Sequence, residues 1–200
     1  LAEDADSAEQ PRAIHLVLQV EAGQADDGWP FVVGLDQDNV ATRAGVMHVR
    51  VDGDGFAVGL GPWRLGDPAT AQRDGFDALV HLDDLEPFSA LTVDVGNPHT
   101  VVALPEAVDL DAVDLATAPA VRPEPAHGTN VEVVRPLGPG HVAMRVFERG
   151  VGETRSCGTG ACAAAIATSF WTGSLDTGST WLVDVPGGRL TVRLLPDHGV

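Results

Sequence analysis

Apolar and polar positions alternate with a period of two along much of this chain, and that period predicts strands. Ile14, Leu16, Leu18 and Val20 alternate with His15, Gln19 and Glu21, a half-buried pattern. A Gly-bounded turn over residues 23–28 and an apolar return over 29–35 predict a hairpin. Residues 40–51 and 56–60 predict a second pair, joined by the turn Asp52-Gly53-Asp54-Gly55. Further strands are expected at residues 78–82, 91–95, 100–104, 129–135, 141–147, 181–185 and 190–195. Pro186-Gly187-Gly188 turns the last two into a closing hairpin.

One segment breaks the pattern. Residues 161–171 are alanine-rich, with little bulk on any side, and predict a helix from about Thr159 that stops at Gly173, a good position for a left-handed cap. A weaker helical period runs through the acidic residues 108–115, and the irregular stretch 62–87 marks a domain boundary. The layout is strands wrapped around one small-residue helix, an α+β arrangement.

Composition narrows the function classes. The 200 residues are 44% hydrophobic, enough for a globular core. The formal charge of −17 opposes binding to nucleic acid or to an anionic membrane surface, both of which depend on clustered basic residues. All 12 basic residues are Arg. These residues therefore offer no lysine for a pyridoxal Schiff base or a P-loop. No apolar run approaches the ~20 residues of a membrane span, and no signal-like segment opens the chain. A soluble, cytoplasmic protein is expected. Cys157 and Cys162 lie five apart, a spacing that fits neither a CxxC pair nor a zinc site, so two free thiols and no metal are expected.

The chemistry concentrates in Glu148-Arg149-Gly150-Val151-Gly152-Glu153-Thr154-Arg155-Ser156-Cys157-Gly158-Thr159-Gly160. Cys157 falls at the N-terminus of the predicted helix. Unpaired N–H groups there favour a thiolate and can hold a carboxylate beside it. Gly158 and Gly160 allow a ligand close to the backbone, Thr159 can cap or donate to an anion, and Glu148 and Arg149 cluster upstream. Cys162, inside the helix, is expected to be packing. Asn97 and His99, in Gly96-Asn97-Pro98-His99, are expected on a tight exposed corner between two strands. The remaining histidines carry no such context.

These motifs resemble, in the same order, the C-terminal half of the diaminopimelate epimerase family. They are the string from Glu148 to Cys162, the Gly-Asn-Pro-His turn, Asn130 in Thr129-Asn130-Val131-Glu132, and Pro186-Gly187-Gly188. Ala41-Thr42-Arg43-Ala44-Gly45-Val46 and residues 52–61 resemble the end of that family's N-terminal domain. The similarity spans roughly residues 40–195. It implies a mixed, mostly antiparallel sheet or barrel around a central helix, with a partial first domain over residues 1–65 and a complete second one over 66–200. The two would be related by pseudo-symmetry.

The resemblance also implies an activity. The family's enzymes use no cofactor and invert the α-carbon of diaminopimelate with two thiols on opposite faces, for lysine and peptidoglycan precursors. Cys157 would be the C-terminal thiol, acting as acid or base. Gly158 and Thr159 would bind the α-carboxylate, and Asn97, Asn130, Glu148 and Arg149 would contact the zwitterionic substrate. His99 and Glu148 would tune the acid and base. A homodimer is compatible with the family. The Cys-Gly-Asn-Gly motif that carries the family's other thiol does not occur in these residues. The chain is expected to begin just past that motif, at the end of the following helix, and to stop before the family's final strand. Residues 8–39 read as an insertion. Two other readings remain: a proline-racemase-like or phenazine-biosynthesis-like isomerase of the same fold, and a degenerate paralogue that binds an amino acid or a partner without catalysis.

Overall fold

The computed structural model describes residues 12–18, 39–42, 45–52, 55–82, 85–175 and 179–195. In chain order these form β1 (Arg12–Leu18), β2 (Asn39–Thr42), β3 (Gly45–Asp52), β4 (Gly55–Leu65), α1 (Pro68–Asp74), β5 (Ala78–His81), β6 (Phe88–Asp94) and β7 (Pro98–Ala103). There follow β8 (Ala120–Arg122), β9 (Asn130–Gly138), β10 (His141–Glu148), β11 (Gly152–Thr154), α2 (Gly158–Trp171), β12 (Thr180–Val185) and β13 (Gly188–Leu194). The hairpin expected at residues 23–35, and most of the stretch read as an insertion, lie outside the described residues.

The thirteen strands make one mixed sheet that curls back on itself. Neighbours run β4, β1, β13, β12, β10, β9, β7, β6, and β6 then pairs with β4 through Arg64 opposite Asp94 and Leu65 opposite Val93. Only β7–β9 and β10–β12 are parallel among these contacts; the others are antiparallel. The ring encloses α2, which touches β1, β6, β7, β9, β10, β12 and β13.

Composition explains why α2 can sit there. Every residue from Gly160 to Ser169 is buried, so the helix has no solvent face and must be narrow on all sides. Alanine supplies that narrowness at the best intrinsic helix propensity. The strands present their larger residues inward, among them Val101, Val134, Met144, Val183 and Val192, in one continuous core with the helix. On the other side of β9, Val131 and Val133 join a second core with Leu82, Leu104, Leu110 and Leu115. This is the expected α+β fold of the diaminopimelate epimerase type.

Four local expectations are corrected. Residues 62–87 are not mainly irregular: β4 continues to Leu65, and α1 follows it. Its signals were present in Asp67, whose side chain accepts the Thr70 N–H at 3.0 Å, in Pro68 at the first turn, and in left-handed Gly75. Residues 108–115 form turns, not a helix. Asp109 and Asp114 accept hydrogen bonds from the backbone two residues on, which competes with helical bonding. Arg145 Nη1 meanwhile gathers the carbonyls of Leu110 and Val113 at 2.8 and 2.7 Å. Short strands β8 and β11 also form where the sequence pattern gave no strand. Finally, His99 is not on an exposed corner but is the second residue of β7, 1% exposed.

No helix among the described residues is long and apolar enough to cross a membrane.

Candidate active site

At one end of the ring the inward positions turn polar. Inward parity puts Val134 and Val101 against the helix, and the same parity along β9 and β7 brings in Glu132, Asn130 and His99. In β10, the inward series Val142, Met144 and Val146 ends at Glu148. These side chains converge on the N-terminus of α2.

Cys157 is the N-cap of α2, with φ −135° and ψ 114°. Its Sγ accepts the Gly160 N–H at 3.3 Å and lies 3.5 Å from Thr159 Oγ1. Its carbonyl accepts the Ala161 N–H at 2.9 Å. The helix therefore spends its third and fourth N–H groups on Cys157 itself, while those of Gly158 and Thr159, in its first turn, lie outside the intrahelical ladder. The turn between β12 and β13 braces the approach: Gly187 N–H donates to Arg155 O at 2.8 Å, and a Cβ on Gly187 would stand 3.0 Å from that oxygen.

A string of hydrogen bonds reaches the sulfur from the strands. Glu132 Oε1 and His99 Nδ1 are 2.6 Å apart, both side chains fully buried. His99 Nε2 is 3.0 Å from Asn97 Oδ1, and Asn97 Nδ2 donates to Thr159 Oγ1 at 3.4 Å. Four of the expected site residues, Asn97, His99, Cys157 and Thr159, are thus connected directly.

The others sit in two neighbouring groups. Asn130 Oδ1 accepts the Arg149 backbone N–H at 2.9 Å, while the Arg149 guanidinium donates to His127 O at 2.5 Å and lines a cleft of about 550 Å³ with Arg122, Thr129 and Phe147. Glu148 accepts from Thr154 Oγ1 at 2.5 Å across the β10–β11 pair. Glu148 and Arg149 do not form an ion pair with each other in this arrangement.

Cys157 differs from the thiolate expected at a helix N-terminus. Burial pushes its thiol up to about 11, with Glu132 and then Glu148 adding to the rise against the hydrogen bonds from Thr159 and Gly160. Two donors do not offset a dry site with two carboxylates nearby. At neutral pH the sulfur carries its proton. Cys162 is fully buried inside α2, free like Cys157, and its thiol is raised further by burial.

Comparison with known proteins fits this geometry. The family model described as diaminopimelate epimerase matches residues 91–200, from β6 through the closing hairpin. The chain belongs to the diaminopimelate epimerase family. It is similar to proteins named diaminopimelate epimerase from Streptomyces coelicolor, 46% identical over 79% of this chain and 53% of that protein. The corresponding protein of Thermobifida fusca is 41% identical over 82% of this chain and 54% of its own length. That of Rhodococcus opacus is 48% identical over 80% and 54%. The chain spans about half the length of the curated relatives it matches.

Sequence reasoning missed Glu132. Its signal was a single carboxylate inside the apolar run Val131-Glu132-Val133-Val134, all buried. An ionisable group in such a run is almost never fully buried without a partner. A search for that partner would have led to His99.

Proposed function

We propose that these residues form one side of a cofactor-independent diaminopimelate epimerase site, in which Cys157 exchanges a proton with the substrate α-carbon. The observation that carries the reading is the seating of Cys157 as N-cap of a buried helix, its sulfur hydrogen-bonded and reached by the Asn97–His99 string, in a chain of this family. The substrate α-carboxylate binds the N–H groups of Gly158 and Thr159. There the helix terminus opposes the charge that builds on the carboxylate as the α-proton leaves. Asn97, Asn130, Glu148 and Arg149 hold the zwitterionic remainder, and His99 and Glu148 adjust the proton affinity of the site. A protonated Cys157 delivers its proton to one face of the planar carbanion-like centre, and a thiolate on the other face removes the original proton.

Cys162 cannot be that second thiol, being enclosed in the helix. The 200 residues alone therefore do not epimerise. The division into units at residue 65, a homodimer, a cytoplasmic setting and a role in lysine and peptidoglycan precursor synthesis belong to the same reading.

Protection of Cys157 from iodoacetamide by added ligand tests it. Diaminopimelate is expected to slow alkylation, and proline at the same concentration is not. Equal protection by proline would favour a racemase of another substrate class. Protection by neither would sink the reading. Turnover of LL- to meso-diaminopimelate by this chain alone would overturn the assignment of two thiols to separate parts.

A further inference from the structure

Glu132 is fully buried, and its second oxygen, Oε2, has no hydrogen-bond partner among the described residues. A buried carboxylate half-satisfied in this way is a cost to folding, and packing alone gives no reason for a carboxylate at the position. Its surroundings give one. A Cβ built on Gly160 would meet Glu132 Oε1 at 2.8 Å and Cys157 Sγ at 3.3 Å, so the oxygen and the sulfur face one another within about 6 Å, close enough for charge to decide the ionisation of either.

The string beyond Glu132 has a direction. With Asn97 Oδ1 toward His99, Nε2 of the imidazole donates to Asn97, and Nδ1 faces Glu132 Oε1 at 2.6 Å. Asn97 then donates to Thr159, leaving the threonine hydroxyl hydrogen for Cys157. Glu132 is the far end of this string.

We infer that Glu132 is a positioning residue that sets the charge state of Cys157: it anchors His99 and, facing the sulfur across Gly160, keeps the thiol protonated, so that this side of the site rests as proton donor. The inference rests on the proposed reading for the word donor and on the geometry for the rest. The titratable groups that face the sulfur are Glu132 from β9, Glu148 from the end of β10, His99 from β7 by way of Asn97 and Thr159, and Cys162 one turn along α2. After burial, Glu132 is the largest influence that raises the thiol.

The test is the pH dependence of Cys157 alkylation by iodoacetamide without any ligand, in the unaltered chain and in Glu132→Gln. The amide can donate to His99 Nδ1 and keep the string, while removing the carboxylate that faces the sulfur. The midpoint in the unaltered chain is expected above the ordinary thiol range. In the variant it falls, and the rate at pH 8 rises about tenfold for each pH unit of the fall. Mere loosening would also lower the midpoint, by letting water reach the thiol, but it would expose Cys162 as well, so alkylation of Cys162 alongside Cys157 in the variant overturns the inference. An unchanged or higher midpoint in the variant overturns the inference. So does a midpoint at or below about 8.5 in the unaltered chain, which needs no variant to fold. Because no substrate is present, this outcome is independent of whether diaminopimelate protects the thiol.

Discussion

Gly160 and Glu132 approach so closely that the helix has room there for a hydrogen and nothing larger: a Cβ on Gly160 would stand 2.8 Å from Glu132 Oε1 and 3.2 Å from the Cys157 Cβ. Gly160→Ala gains roughly 1 kcal/mol of helix propensity and loses about 1–3 kcal/mol to overpacking against two buried groups, one of them held by His99. The variant should unfold at lower denaturant than the unaltered chain. It should also show a displaced thiol, read as a changed alkylation rate. A urea midpoint equal to or above that of the unaltered chain would mean the strands around α2 yield easily.

Cys157 caps a helix as well as carrying a proton, and two substitutions separate those duties. Cys157→Ser keeps an acceptor for the Gly160 N–H and should leave stability within about 0.5 kcal/mol, whereas Cys157→Ala loses the cap at a cost of about 1 kcal/mol. In the full enzyme context of the family, both should abolish epimerisation. Equal stabilities for the two variants would deny the sulfur a capping role.

The raised thiol makes stability depend on alkaline pH. An unfolded cysteine ionises near its ordinary value of 9.0, whereas folded Cys157 holds its proton to about 11. Below 9 both states are protonated and the contribution is fully present. Between 9 and 11 the unfolded state sheds a proton that the folded state keeps, so stability falls, by up to about 3 kcal/mol by the time pH passes the folded value. Denaturant midpoints measured from pH 8 to 11 should decline, and Cys157→Ser should flatten part of that decline. Cys162, raised in the same direction, accounts for some of what remains.

Arg145 binds three carbonyls of the segment after β7, those of Leu110, Asp111 and Val113, and also holds Glu153 at 2.7 Å. Arg145→Met keeps the stem and removes every one of these bonds. A loss of about 2–3 kcal/mol is expected, with faster proteolytic cleavage within residues 105–119. Cleavage at the original rate would show that Leu110, Val113 and Leu115 hold the segment by burial alone.

The ring and its helix were legible because both depend on local pattern. The alternation of residues such as Val142, Met144 and Val146 sets the inward face of β10, and the run of alanines sets the width of α2. The position of Cys157 was legible for the same reason, since a cap is a local event. Its ionisation was not. The helix terminus argues for a thiolate, and what reverses it is enclosure together with Glu132 and Glu148, which lie 25 and 9 positions earlier and meet the sulfur only through the packing of β9 and β10. His99 was misread for a related reason: Pro98 suggests a turn, yet it opens β7, and parity then carries the imidazole inside. Charge states belong to the assembled ring, whereas elements belong to short windows of sequence.

The enclosure of α2 has a mechanical consequence. A helix touched by seven strands of a ring cannot swing or slide without unzipping hydrogen bonds on several sides at once. Cys157, fixed to its first turn, is therefore a stationary point. Under the proposed function, any movement that brings the substrate α-carbon into line with that sulfur is made by the ligand and by whatever closes over it, and the thiol waits in place.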